Sequence, residues 1–287
     1  MRLGGARESG NVEDRRGFGI PGGGKAIGGG CGTLIIIILA LIFGVDISQF
    51  IGGGVPQEGP PPATRTGPQQ QQQTDSESQF IRRVLGTTED TWKEVFQRNG
   101  SQYREPALVL FTGQVQSACG RAGASVGPFY CPADEKVYID LSFFEDLRSR
   151  FRAPGDFAQG YVIAHEVGHH VQQLLGTSDK VTQLQRRARS EAQANDLSVR
   201  LELQADCYAG VWGFHAKQRD ILDPGDLEEA LGAASAIGDD RLQRETSGMV
   251  VPDSFTHGSS AQRMRWFRAG FDTGDLRRCD TFSTRSL

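Results

Sequence analysis

Residues 162–172 read VIAHEVGHHVQ, an apolar-flanked run in which His165, Glu166 and His169 stand in H-E-x-x-H spacing. Four residues on an α-helix separate the two imidazoles by about 40° around the axis and one turn along it, so both reach a single ion. Glu166 then lies beside that ion rather than against it. Two neutral imidazoles suit zinc, and a carboxylate placed next to them suits a base that takes a proton from zinc-bound water. The local punctuation agrees with a helix: Pro154-Gly155-Asp156 precedes Phe157, Tyr161 and Val162, and Gly176 follows Leu174 and Leu175 as a stop.

A zinc site of this kind needs a third ligand from elsewhere in the chain. Residues 201–212, LELQADCYAGVW, supply Glu202 and Asp206 four apart on one face of the next expected helix, which spans roughly Arg189 to Phe214. Glu202 reads as the third ligand. Asp206 reads as the acceptor for the outer nitrogen of one histidine, which would fix its tautomer and leave a fourth position open. A pair of carboxylates at this spacing is more often a solvated face, but the apolar residues that follow, Cys207, Tyr208, Ala209, Val211 and Trp212, argue for burial.

The other histidines divide by geometry. His170 is turned about 100° from His169 and points to packing or a supporting bond, and His215, nine residues after Asp206, falls about 180° around its helix and reads as structural. His257 sits in SFTHGSS at 254–260, a loop leading into a helix, where a ring N–H is free to stabilise a carbonyl oxyanion; an ordinary loop histidine is the competing reading.

Around these motifs the pattern is α+β and mostly helical. Phe80, Ile81, Val84 and Leu85 lie at helical spacing ahead of Trp92, Val95 and Phe96. Two β-like runs follow, ALVLFT at 107–112 and KVYID at 136–140. Beyond them Asp223-Pro224-Gly225-Asp226 opens one helix, and Ser259 or Ser260 caps another that carries Met264, Trp266 and Phe267.

The N-terminal quarter is of a different character. Residues 26–45 carry no charge and include LIIIILALIF at 34–43, long enough to cross a bilayer. Arg2, Arg7, Arg15, Arg16 and Lys25 precede the run and Asp46 follows it, so the positive-inside rule keeps the N-terminus cytoplasmic. The expectation is therefore a glycine-rich disordered cytoplasmic tail at 1–25, a transmembrane anchor at 26–45, a Gly/Pro/Gln-rich linker at 46–76 and a zinc peptidase domain at 77–287. The whole is then a single-pass protein of the bacterial inner or plasma membrane, its catalytic domain periplasmic or extracellular. A cleavable signal peptide is the alternative, but no A-x-A site follows the run. The net charge of −4 provides no basic field for phosphates, so nucleic acid is not an expected partner.

Four cysteines follow the apolar run, Cys119, Cys131, Cys207 and Cys279. An exported domain with an even number of them is expected to form disulfides, here two. Three pairings exist; Cys119 with Cys131 is favoured because it closes the loop before KVYID, which leaves Cys207 with Cys279. Zinc ligation by these thiols is disfavoured, since none lies in C-x-x-C spacing.

Taken with GPFYCPADEKVYIDLSFF at 127–144 and DSFTHGSSAQRMRWF at 253–267, these motifs resemble the neutral zinc metallopeptidases of bacteria, the YpfJ-like family, over nearly the whole chain. The resemblance implies a gluzincin-like domain in which a small β-sheet packs on the HExxH helix. It also implies Zn2+ held by His165, His169 and Glu202, Glu166 as base, and a peptide or protein substrate. By the same resemblance His257 gains an active-site role, with Arg263 in support. A zinc-stabilised binding or scaffold domain without turnover is the reading from another class, and an interaction module without metal a third. A substrate strand laid beside Val137 to Asp140 completes the expectation.

Overall fold

The computed structural model describes residues 1–16, 68–123 and 126–287, with the backbone alone for 68–75. Helices dominate, with one small mixed sheet. The chain runs β1 (Val12–Asp14), α1 (Pro68–Arg98), β2 (Ala107–Phe111), β3 (Gln114–Ser117), β4 (Gly120–Gly123), β5 (Phe129–Cys131) and β6 (Lys136–Asp140). Then follow α2 (Ser142–Ser149), α3 (Asp156–Leu174), α4 (Thr177–Gln185), α5 (Glu191–Gln218), α6 (Asp226–Ala236), α7 (Asp239–Ser247) and α8 (Ser260–Thr273). Short 3-10 turns occupy Pro252–Ser254 and Leu276–Cys279. Two helices, α4 and α7, have no counterpart in the periodicity, because each buries only one or two residues and so carries almost no apolar stripe.

The four-stranded sheet has the order β1-β2-β6-β5, with β1, β2 and β6 parallel and β5 antiparallel to β6. Strand β6 is thus interior. The expected substrate track beside Val137 to Asp140 is taken on one edge by β2 along its length and on the other by β5 as far as Tyr138; three-residue β5 was too short to show as a strand in the sequence. On one face of the sheet Leu108, Leu110, Val137 and Ile139 join the main core, while Val109, Phe111, Phe129 and Tyr138 form a smaller cluster on the other.

Helix α3 is the centre of the domain. It packs on the sheet through β5 and β6 and on α1, α4, α5 and α6, so Phe157, Tyr161, Ile163, Val167 and Val171 are all buried. Close approach at its ligand-bearing turn depends on Gly168: a Cβ there would stand 3.0 Å from the Ala205 carbonyl oxygen on α5. A second tight crossing joins α5 to α8, where Cβ atoms on Gly210 and Gly270 would fall 2.0 and 1.9 Å from the Phe267 and Cys207 carbonyl oxygens. Ser259 caps α8 in a capping box with Gln262. Disulfides join Cys119 to Cys131 and Cys207 to Cys279.

Residues 1–16 correct the expected tail. They lie against the domain as an arm: β1 extends the sheet, and Glu89 of α1, fully buried, accepts hydrogen bonds from Arg7 Nη2 (2.6 Å), Ser9 Oγ (2.6 Å) and Asn11 Nδ2 (2.8 Å). The Met1 ammonium lies 2.9 and 2.7 Å from the two oxygens of Asp156, the first residue of α3. Helix α1, too, begins within the stretch expected as linker.

The arm overturns the membrane reading. A single crossing between residues 16 and 68 would put the arm and the domain on opposite faces of a bilayer, yet they form one packed unit. No helix of the described residues is long and apolar enough to cross a membrane, and the run 26–45 itself lies outside them. The arginines that suggested a cytoplasmic flank have other partners: Arg2 pairs with Asp223, Arg7 with Glu89 and Asp90, Arg15 with Glu13, and Arg16 with Asp14. Neither the transmembrane helix nor the single-pass location stands.

Removing the buried acceptor should release the arm. Glu89→Ala leaves three donors facing a cavity, and is expected to lower unfolding stability by about 2–3 kcal/mol. Denaturant unfolding measures the loss, and limited proteolysis should cut within residues 1–16 of the variant before any other site. A variant as stable and as protected as the parent would show that the arm is held by the strand pairing alone.

Candidate metal centre

Helices α3 and α5 cross with their ligand-bearing turns face to face. His165 Nε2 lies 3.2 Å from one Glu202 carboxylate oxygen, and His169 Nε2 lies 3.5 Å from the other. Two ligands of one tetrahedral zinc ion with bonds of about 2.0–2.2 Å are roughly 3.3–3.6 Å apart. The donor spacing is close to what a zinc ion requires, and the two-nitrogen, one-oxygen set is of the type zinc takes. Donor atoms of all three residues lie within 4.8 Å of one another.

Both outer ring nitrogens are engaged, which leaves the inner ones to face the ion. His165 Nδ1 is 2.9 Å from Asp206 Oδ1, and His169 Nδ1 is 2.9 Å from Gln172 Oε1. Asp206, fully buried, also accepts from Tyr161 Oη at 2.5 Å and from Arg263, whose Nε and Nη2 reach its two oxygens at 2.8 and 2.9 Å. Arg263 is itself buried, and it also donates to Tyr161 Oη at 3.2 Å. The support expected of Arg263 is thus directed to Asp206.

His257 lies close enough to Glu202 for the two to interact electrostatically. Its Nδ1 lies 3.0 Å from Thr256 Oγ1 and 3.3 Å from Asp239 Oδ1, while Asp239 Oδ2 accepts the backbone N–H groups of Thr256, His257 and Gly258. Asp239 opens α7, so this carboxylate fixes a loop to a helix N-terminus. With Nδ1 so occupied, Nε2 is the ring nitrogen left without a hydrogen-bond partner in this loop.

The electrostatics separate the carboxylates. Burial alone would raise both Glu202 and Asp206; His169 and His257 outweigh it for Glu202, and Arg263 and His165 for Asp206, so both lie below the usual carboxylate range. Burial dominates for Glu166 and raises its carboxyl despite the two histidines. Burial would lower His165, but Asp206 and Glu202 push it up to about 10. His257 is raised as well, because Glu202 and Asp239 outweigh burial.

Two remaining histidines lie apart from the ligand set. His170 is buried, with Nδ1 3.0 Å from Tyr130 Oη of β5 and Nε2 2.6 Å from the Arg104 carbonyl oxygen, a brace between helix and sheet. His215 faces Glu94 of α1 at 3.8 Å. A second group of carboxylates, Asp156, Asp226 and Glu229, has cation-holding spacing, but the Met1 ammonium fills it. Sequence reasoning missed Tyr161, Gln172 and Asp239. The first two were in reach of it, at i−4 from His165 and i+3 from His169 on the same helix; Asp239 was not.

Comparisons with known proteins bear on this constellation. The family model described as "Putative neutral zinc metallopeptidase" matches residues 1–282. The chain is 52% identical over 294 residues to "Uncharacterized protein YpfJ" of Escherichia coli (strain K12), covering 98% of this chain and 99% of that one. It is 48% identical over 197 residues to an uncharacterized protein of Mycobacterium tuberculosis (strain ATCC 25618 / H37Rv), covering 64% and 65% of the two chains. No solved structure matches.

The His165 shift predicts a pH dependence in the metal-free protein. A folded pKa raised from 6.5 to about 10 contributes stability that is complete below about pH 6.5 and is lost as pH rises through about 10. His165→Asn should remove that decline from the unfolding free energy measured across the same window. Zinc uptake near neutrality should also release about one proton from His165, seen by calorimetry in buffers of different ionisation enthalpy. Uptake without release would show that Asp206 does not hold His165 protonated.

Proposed function

Because the chain belongs to the family described as "Putative neutral zinc metallopeptidase", we propose that it hydrolyses peptide bonds at the site built by α3, α5 and the His257 loop. The observation that carries this reading is the convergence of His165, His169 and Glu202 at the spacing of tetrahedral zinc, with Glu166 beside them. Together with its tie to Asp206, the ring of His165 keeps Nε2 turned inward. Glu202, held below the usual carboxylate range by His169 and His257, is anionic near neutral pH and suits the role of third ligand.

A bound zinc ion supplies a Lewis acid that polarises a carbonyl and makes water more acidic. Glu166 is the residue left to move protons. Its carboxyl, raised by burial, is a better proton acceptor than its two carboxylate neighbours, so it takes the proton of the attacking water and delivers it to the leaving amine. Once Nδ1 is committed to Asp239 and Thr256, His257 offers an Nε2–H to the oxyanion of the tetrahedral intermediate. Asp239 acts through His257 and is a positioning residue.

Substrate access follows from the sheet. The strand that ends the sheet beside α3 is β5, tied to that helix through Tyr130 and His170. An extended peptide pairing there would gain backbone hydrogen bonds with little demand on sequence.

Three variants of the full chain test the assignment against a mixed fluorogenic peptide library. Glu166→Gln should retain zinc and lose hydrolysis by about 10³-fold or more. His257→Phe should lower kcat by roughly 10²-fold with little change in KM. Asp239→Asn should fall between these and the parent. Undiminished turnover by a zinc-loaded Glu166→Gln protein would reject the mechanism, and a wild-type protein that binds zinc but cleaves nothing in the library would favour the scaffold reading.

A further inference from the structure

Behind His169 the buried amides form a directed chain. Gln172 and Gln204 are 0% and 7% exposed, and neither touches the ligand atoms of the site. Gln204 Nε2 donates to the Cys279 carbonyl oxygen at 3.0 Å, and its Oε1 accepts from Gln172 Nε2 at 3.1 Å. Gln172 Nε2 is shared with the Leu201 carbonyl oxygen of α5 at 2.7 Å, and its Oε1 faces His169 Nδ1 at 2.9 Å.

The direction of this chain is not arbitrary. A backbone carbonyl accepts and never donates, so Cys279 and Leu201 between them dictate which end of each glutamine amide points which way. Gln172 can present only its oxygen to His169. Nδ1 of His169 must then carry the ring proton, and Nε2 keeps its lone pair on the side of Glu202. Where His165 has the anionic Asp206 behind it, His169 has a neutral amide whose orientation is set elsewhere.

One of the two setting carbonyls belongs to the C-terminal tail. Cys279 is held to α5 by its disulfide with Cys207, next to Asp206, and the tail is further pinned by Thr281 Oγ1 to the Arg200 carbonyl oxygen at 2.7 Å. An open cleft of about 430 Å³ borders the tail at Gln204, Asp280 and Phe282, while Cys279 and Thr281 are themselves buried. The covalent link thus adds to the hydrogen bonds that hold the tail on α5.

We propose that Gln172 and Gln204 are positioning residues that set the tautomer of His169, and that the disulfide-held tail completes this relay, so that zinc retention depends on Cys279 and its disulfide. This inference rests on the metal reading above but not on peptidase activity. Outer hydrogen-bond partners of metal-ligating histidines typically account for 10- to 100-fold in metal affinity.

The test is zinc transfer from the loaded full chain to a chromogenic chelator. Gln172→Leu should release zinc about 10-fold faster or more. Gln204→Leu and the Cys207→Ala/Cys279→Ala pair should each release it several-fold faster, the smaller effect reflecting the Leu201 carbonyl that remains. Nitrogen-15 spectra of the metal-free protein at alkaline pH give a readout that general destabilisation does not move: His169 should be the Nδ1–H tautomer in the parent and a mixture of tautomers in Gln172→Leu. Parent-like release and a parent-like tautomer in Gln172→Leu overturn the relay. Faster release from Gln172→Leu with parent-like Gln204 and disulfide variants overturns the role of the tail. A chain that takes up no zinc at all overturns the metal reading instead, so the two failures are distinguishable.

Discussion

A single buried carboxylate, Asp206, holds the site together. Taking an unpaired carboxylate out of water costs several kcal/mol, and the structure offsets that cost with the Arg263 charge and with donors from Tyr161 and His165. Those partners come from two helices, Tyr161 and His165 from α3 and Arg263 from α8, while Asp206 itself lies on α5. Satisfying one charge therefore fixes how three helices meet. The ligands of the candidate metal centre are carried on two of them, a turn or less away. Gly168, Gly210 and Gly270 let the backbones come close enough for those bonds to form.

Differences in environment, more than in residue type, divide the work among the carboxylates. Glu166 and Asp206 are buried and Glu202 is largely so, but cationic neighbours outweigh desolvation for Glu202 and Asp206 and not for Glu166. Pushing the pKa values of neighbouring acids apart lets one site hold carboxyls of different proton affinity side by side. Asp239 adds a further anion, tied by three backbone N–H groups to the His257 loop.

How far the sequence could be read depended on how local each interaction is. His165, Glu166 and His169 were legible because four residues of helix bring them together whatever the rest of the chain does. The Glu202 and Asp206 pair was legible for the same reason, and the pairing of Cys119 with Cys131 closes a short loop. Arg263 could be picked out only through the family motif, and its partner was not evident, since it reaches Asp206 across 57 positions. Arginines 2, 7, 15 and 16 had the look of a membrane flank because counting charges ahead of an apolar run takes no account of acids that fold back onto them. Glu89, the acceptor that recruits the arm, is 78 to 82 positions away from its donors, and no periodicity links them.

By itself the sequence determined the turns that carry the candidate ligands, the main core helices, two strands of the sheet and the class of metal those donors suit, because side-chain spacing along a helix is set by backbone geometry alone. Tertiary structure decided the remainder: which carboxylate stands behind which histidine, where Arg263 points, that the Gln172 amide bonded to His169 meets Gln204 and the Leu201 carbonyl of α5, and that residues 1–16 belong to the folded domain. Each of these is a contact between segments far apart in the chain. Such contacts exist only where packing brings the segments together, and nothing in local spacing records them.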